Sequence, residues 1–426
     1  MGRVARDYAG ALREIQDHLH KELLPFWTTH GVDTESGGFL TYYDRHGKAT
    51  GETTKTLICQ ARCIYAYSAA HRAGYGDGRF LQAARQGFEF LVQHFWDIEH
   101  LGWHWTTDRR GTPLDRSKLT YGQSFAIYGL SEYAMASRDP QALEWAERTF
   151  ELVQSHAGDS LHGGYYEFQE SDWTLKRPGA YGGDRKSMDV HMHLMEAFTN
   201  LYAASGRALH KRKAEEVIAI LLTRMRHPEH GTGLAQFTFD WKPLRAILFK
   251  NVWGEDRDVG DPVGRPLDNT SYGHNVELGW LLHRSAEVLD LDVGTYTPLI
   301  RTLYDHCLTY GIDWKHGGVF CEGPHAGPAR ETNKEFWQQA ESLIGMLDAV
   351  ALVDDDRYWE AYLNVHRFVM DTMINHPVGE WFPLFSADNR LLRDHMAHAW
   401  KINYHTIRSM LECEARLTKL LQGASR

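Results

Sequence analysis

Two kinds of apolar stretch alternate along the chain. Stretches such as Asp139-Pro140-Gln141-Ala142-Leu143-Glu144-Trp145 and onward are apolar on one side of a helical wheel only, which predicts helices lying on a surface. Others, such as Ser124-Phe125-Ala126-Ile127-Tyr128-Gly129-Leu130 and Glu277-Leu278-Gly279-Trp280-Leu281-Leu282, are apolar nearly all round and predict buried helices. Between them, six segments share one design, a Gly followed by aromatic or β-branched residues and a polar turn. They are Gly37-Gly38-Phe39 running to Tyr42-Tyr43-Asp44, Gly102-Trp103-His104-Trp105, Gly163-Gly164-Tyr165-Tyr166, Gly233 running to Phe237-Thr238-Phe239-Asp240, Gly317-Gly318-Val319-Phe320, and Gly379-Glu380-Trp381-Phe382. They recur at intervals of roughly 60 to 85 residues, and each predicts a small hairpin or tight loop.

The repeat sets the fold class. Between successive hairpins there is room for two helices, one buried and one superficial. Six copies of hairpin, inner helix and outer helix close into an all-α fold, an (α/α)6 barrel of six inner helices wrapped by six outer ones, with short β-hairpins on one rim. Residues 1–426 then form a single catalytic domain, where length alone would suggest two or three. The stretch from Phe249 to Asn269, FKNVWGEDRDVGDPVGRPLDN, is rich in Gly, Pro and Asp and predicts an inserted loop on that rim.

In such a barrel the polar residues early in the inner helices converge on a central pocket. Taken in order they are Arg62, Tyr121, Asp189 with His193, His274 with Glu277, Trp337, and His405 preceded by Trp400. A lone buried histidine is ordinarily a hydrogen-bonded core residue and a lone tryptophan ordinarily packs. Their common position after six hairpins is what argues for a site. Asp189 and His193 are four apart and His274 and Glu277 three apart, so each pair lies on one helix face, with the carboxylate able to orient the imidazole or merely to bridge two turns. A histidine held in this way can titrate near neutral pH, which suits abstraction and return of a proton.

Composition and charge narrow the chemistry. A formal net charge of −10 with no basic block makes nucleic acid an unsuitable partner. The N-terminus lacks the basic start and apolar run of a signal peptide, and no apolar stretch reaches a membrane span, so a cytoplasmic protein without a membrane partner is expected. Cys59, Cys63, Cys307, Cys321 and Cys413 include no CxxC pair, which argues against a disulfide framework or thiolate site. His191-Met192-His193-Leu194-Met195-Glu196 is no zinc-protease run, and no GxGxxG or phosphate-cradling loop is present, so neither metal nor nucleotide cofactor is expected. The 14 Trp, 20 Tyr and 25 His suit stacking on sugar faces. The barrel also hosts glycosidases and lyases, but glycosidases need two opposed carboxylates, and a rim dominated by histidine favours proton transfer at carbon.

Four segments carry a resemblance: Lys186-Ser187-Met188-Asp189-Val190-His191-Met192-His193, Ser271-Tyr272-Gly273-His274-Asn275-Val276-Glu277, Glu335-Phe336-Trp337-Gln338-Gln339-Ala340-Glu341, and Trp400-Lys401-Ile402-Asn403-Tyr404-His405. With Gln60-Ala61-Arg62 and Tyr121-Gly122-Gln123 the sequence resembles the N-acylglucosamine 2-epimerase superfamily, and within it the cellobiose 2-epimerase and mannose 2-epimerase branch. The resemblance implies a cofactor-independent carbohydrate 2-epimerase acting on a free sugar, as a monomer or homodimer. It makes His274 and His405 the acid/base pair, His193 a helper in ring opening, and Arg62 the group that steadies the enediolate. Tyr121, Trp337, Trp400, Trp381 and Asp189 go with the sugar site, and Glu277 supports His274. Asp189 departs from the asparagine common in the family. A rim loop at 249–269 that closes over one sugar ring resembles the mannose arrangement, so D-mannose and D-glucose are the expected pair. An aldose–ketose isomerase, a cellobiose 2-epimerase and a non-catalytic carbohydrate-binding barrel stay open.

Overall fold

The structure, a computed structural model, describes residues 6–245, 267–353 and 355–424 of the chain. Helix α1 (Tyr8–His18, running on through Leu19–Leu23 to Leu24–His30) is followed by α2 (Leu57–Arg72), α3 (Arg79–Phe90), α4 (Thr120–Ser137), α5 (Pro140–Leu152) and α6 (Met188–Ser205). Then come α7 (Ala208–Arg224), α8 (Tyr272–Val288), α9 (Val293–His306), α10 (Phe336–Leu352), α11 (Asp356–Phe368) and α12 (Asn403–Ala424). The even-numbered helices pack side by side in a closed ring, α2 against α4 and so on round to α12 against α2, and each odd-numbered helix lies outside it. This is the (α/α)6 barrel, with one difference from the expected order. The chain starts on an outer helix and ends on an inner one, so the ring is closed by packing α1 on α12. The inner helices are buried almost throughout; in α4 every residue from Thr120 to Ala134 is buried, as its all-round apolar sequence requires.

Each inner helix from α2 to α10 starts from a short strand, and several starts are capped by the strand's last side chain. Thr56, Ser187 and Ser271 accept hydrogen bonds from the amides of Cys59, Val190 and His274, each cap contributing about 1 kcal/mol. Before it, each hairpin is tied down by a set of bonds that recurs around the ring. An aspartate at the hairpin's start accepts from two amides of its own turn, as Asp33, Asp97, Asp159 and Asp313 do. A fully buried lysine on the strand before the inner helix reaches that aspartate: Lys55–Asp33 at 3.0 Å, and Lys118–Asp97, Lys186–Asp159 and Lys334–Asp313 each at 2.7 Å. The fourth residue of the inner helix then pairs with the hairpin backbone. Gln60 bonds both polar atoms of Phe39, Gln123 those of Trp103 and Gln339 those of Val319.

The fourth and sixth repeats vary the set. The fourth has His227 where the others have aspartate, its Nδ1 accepting from the amides of Glu229 and His230, and Asn275 accepts from Gly233. In the sixth, Lys401 pairs with Glu380 at 3.1 Å. The rim loop expected at 249–269 lies outside the described residues as far as Pro266. Asn269–Ser271 is already strand, paired antiparallel with Glu322–Pro324.

Candidate active site

Counted from its first residue, each inner helix sends its sixth side chain toward its neighbours across the barrel, as α4, α6, α10 and α12 do with their second and α8 and α12 with their third. The sixth residues are Arg62, Phe125, His193, Glu277, Glu341 and Arg408. The Arg62 guanidinium lies over the Phe125 and Tyr404 rings, donates to the Tyr121 hydroxyl at 2.8 Å and to the Trp400 carbonyl at 3.0 Å. Tyr121 and Phe125 flank the His193 ring, with centroids 5.1 and 4.7 Å away. The Trp337 indole contacts both His274, at 4.6 Å between centroids, and His405, at 6.0 Å. Trp400 stands against Tyr121 and Trp105, at 5.9 and 5.7 Å. Arg62, Tyr121, His193 and Trp400 thus form one set of direct contacts on the hairpin side of the barrel and His274, Trp337 and His405 another, and Asp189, between His193 and His274, and Tyr404, between Arg62 and His405, join the two. The side chains of His274 (27% exposed) and Asp189 (14% exposed) mark the open side, whereas His193, His405 and Arg62 are buried.

Below this layer lies a buried charge network that sequence reading missed. Arg408 donates to Glu196 at 2.5 Å, Glu277 at 2.9 Å and Glu341 at 2.6 Å, and also bonds Tyr404. Glu341 receives three donors, Arg408, His405 Nδ1 at 2.6 Å and the Trp280 indole at 2.9 Å, whereas Glu277 receives Arg408 alone. Burial pushes both carboxyls up, Glu277 to about 8, against the pull of Arg408. With three donors Glu341 is the better-held anion, and the proton resides on Glu277. A helical register would have found this layer: Glu341 and Arg408 hold the same place in their helices as Arg62 and His193.

The two imidazoles on this network are tuned in opposite directions. Burial lowers His405 well below the ordinary histidine value, and the positive charges of Arg62, Arg408 and His193 push it further down. It is therefore neutral, and with Nδ1 committed to Glu341 its Nε2 is the free nitrogen. Burial also works against charging His193, but hydrogen bonds to Asp189 and Glu196 outweigh it and raise the group to about 9. Its Nε2 lies 3.3 Å from Asp189 and its Nδ1 3.0 Å from Glu196. Asp189 also stands 3.7 Å from His274 Nε2.

Two expectations are corrected. Glu277 does not support His274: although the two are three residues apart, Glu277 points down to Arg408, and the carboxylate beside His274 comes from the neighbouring helix as Asp189. Trp381 does not line the pocket. It is fully buried behind the sixth hairpin, its indole donating to His18 of α1 at 2.9 Å, because alternation along the strand turns it to the outer helix. His191, two residues before His193, is likewise structural, its ring bonded to the Tyr165 amide and the Ser187 carbonyl. Glu277, Glu341 and His405 each place one ligand atom within 4.8 Å of the others, the geometry of a metal-binding trio. The Arg408 guanidinium, bonded to both carboxylates, already supplies a cation there.

A family model described as N-acylglucosamine 2-epimerase matches residues 37–409. A cellobiose 2-epimerase of Bacteroides fragilis is 30% identical over 414 residues, covering 94% of this chain and 97% of that protein. A D-mannose isomerase of Marinomonas mediterranea is 25% identical over 409 residues, covering 95% and 97%. Among solved structures, the cellobiose 2-epimerase of Bacillus thermoamylovorans superposes with a TM-score of 0.85 at 24% identity, covering 96% of this chain and 100% of that one.

Proposed function

The chain belongs to the N-acylglucosamine 2-epimerase family, and from that premise we propose that its pocket inverts C2 of a free aldose, with D-mannose and D-glucose as the interconverted pair. The observation that carries the reading is the placing of two imidazoles on one indole, each beside a different carboxylate: His274 near Asp189 and His405 on Glu341.

The open-chain aldehyde acidifies the C2 hydrogen. One imidazole removes that proton, the electron pair moves toward the carbonyl oxygen, and an enediolate forms. The fixed Arg62 guanidinium, with Tyr121 at 2.8 Å, stabilises the charge that develops on oxygen. The other imidazole returns a proton from the opposite face, giving the C2 epimer. His405 is the group suited to act as base, being neutral with Nε2 free. His193, charged at neutral pH, is suited to donate to the ring oxygen or O1 during ring opening. Trp337 and Trp400 supply apolar faces for the sugar.

The test is incubation with D-mannose, D-glucose, cellobiose and N-acetylmannosamine, with products resolved chromatographically and in heavy water. Epimers carrying deuterium at C2 are expected. Fructose as the sole product from mannose would replace epimerisation by aldose–ketose isomerisation. A second reading, action on a β-1,4 disaccharide, is favoured by the kinship to cellobiose 2-epimerases. Turnover of cellobiose as efficient as that of mannose would establish it in place of the first.

A further inference from the structure

The carboxyl of Glu167, in the third hairpin, is used neither by the scaffold nor by the acid/base machinery. The residue is 2% exposed, yet neither carboxyl oxygen meets a hydrogen-bond partner in good geometry among the described residues, and Oδ1 of the neighbouring Asp189 has only its ion-pair contacts, 3.3 Å to His193 and 3.7 Å to His274. Buried polar atoms are almost always paired, so the two oxygens of the Glu167 carboxyl call for partners from elsewhere.

Its place in the repeat locates it. The Glu167 carbonyl accepts from the first amide of α4, Thr120, and the corresponding carbonyls of Trp105, Ala235, Cys321 and Pro383 accept from the first amides of α2, α6, α8 and α10. Of these residues only Glu167 is a carboxylic acid. Its equivalent Trp105 packs on Trp400 at the sugar pocket, so this position borders the pocket. The groups that bear on Glu167 are the Asp189 carboxylate, the Arg185 guanidinium and the Ser187 hydroxyl.

We propose that Glu167, together with Asp189, forms a hydroxyl-binding subsite of the sugar pocket, taking a hydroxyl of the aldose away from the reacting carbons. The inference rests on the epimerase reading above. Asp189 touches His193 and His274 and so stands at the reacting end, which puts Glu167 one step further along the sugar. As a neutral acid Glu167 offers both halves of such a bond, its carbonyl oxygen accepting from a sugar hydroxyl and its own O–H donating to a sugar oxygen. Burial and the charge of Asp189 hold the proton on it up to about 8.

The test compares Glu167→Gln and Glu167→Leu with the wild type on D-mannose, by KM, kcat and melting temperature. Gln keeps one donor and one acceptor, so KM should stay within about threefold of wild type, while Leu should raise KM about tenfold or more with kcat little changed. Wild-type KM should rise between pH 7 and 9 as Glu167 ionises, and that rise should be smaller in Glu167→Gln, where only Glu277, near 8, and His193, near 9, still titrate in this range. Glu167→Leu should melt no lower than wild type, because it removes an unpaired buried carboxyl. A wild-type KM in Glu167→Leu, or an equal pH dependence of KM in wild type and Glu167→Gln, overturns the assignment. If Leu fails to fold, the Gln comparison decides alone. Wild type that neither turns over nor binds D-mannose or cellobiose refutes the epimerase reading and this subsite with it, whereas turnover with an unaltered Glu167→Leu refutes the subsite only.

Discussion

Two rings of side chains occupy the same end of this barrel and follow opposite rules. The hairpin ring repeats itself: the bond between aspartate and buried lysine recurs in four repeats, and the bonds of a fourth-residue amide in three of those. The ring of sixth helical residues does not: arginine, phenylalanine, histidine, two glutamates and a second arginine stand at equivalent places. Repetition marks what every repeat needs in order to sit on its neighbour. Variety marks positions that the packing of one repeat on the next leaves open. Buried charge is common to both, but each lysine reaches one carboxylate, as Lys186 does with Asp159 beside the carbonyls of Gly163 and Phe239, whereas Arg408 is shared among three carboxyl groups, two of which also hold His193 and His405.

The sharpest way to separate the rings is to remove one member of each. His405→Ala or His274→Ala should lower kcat by about 10²–10⁴-fold, the range of general acid/base catalysis, with far-UV circular dichroism and melting temperature near wild type. Solvent deuterium should still enter C2 if one base survives to exchange the proton. Near-normal epimerisation by either variant would remove that histidine from the mechanism.

Lys118→Met should do the reverse. Leaving Asp97 buried without its partner should cost about 3–5 kcal/mol of stability, read as a drop in urea midpoint, while kcat per folded molecule stays close to wild type. The clips also carry a pH signature. Burial alone would raise Asp33, Asp97 and Asp159, but hydrogen bonds, led by Arg109 and then Lys55 at Asp33, by Lys118 at Asp97 and by Lys186 at Asp159, pull them down to about 2. Their contribution is therefore full above about pH 4 and lost as pH falls toward 2. A Lys118→Met penalty that persisted undiminished at pH 2 would contradict this account.

Asp189→Asn probes the junction of the two behaviours, because it removes the charge that raises His193. The alkaline limb of kcat/KM should move to lower pH, and His193, followed by NMR, should titrate below about 9. A raised histidine stabilises the fold fully below its unfolded value near 6.5 and loses that contribution as pH rises through 9. The melting difference between wild type and Asp189→Asn should accordingly be largest near pH 6 and shrink above 9. An unchanged His193 titration would assign the raised value to Glu196 alone.

The smallest effect is expected from Trp381→Phe, which keeps one six-membered ring and loses the pyrrole ring with its bond to His18. It should cost on the order of 1 kcal/mol of stability with KM unchanged. A raised KM would return Trp381 to the sugar site.

Much of this was legible along the chain. The spacing of the Gly-aromatic hairpins and the two kinds of apolar helix determined the (α/α)6 barrel, and the position of polar residues just after each hairpin picked out Arg62, Tyr121, His193, His274, Trp337 and His405. These are local properties: a period, a helical face, a cap. What each carboxylate does was not local. Glu277 and His274 share a helix face, yet Glu277 serves Arg408, 131 residues away in sequence, and His274 has beside it Asp189 from another helix. Trp381 carries the same Gly-aromatic signature as pocket-side residues but faces α1, because strand alternation decides its side and only packing decides what lies there. The sequence determined by itself which residues reach the barrel's interior. Only the tertiary structure decided which of them meet, because partners across a closed ring are set by its closure and not by their separation along the chain.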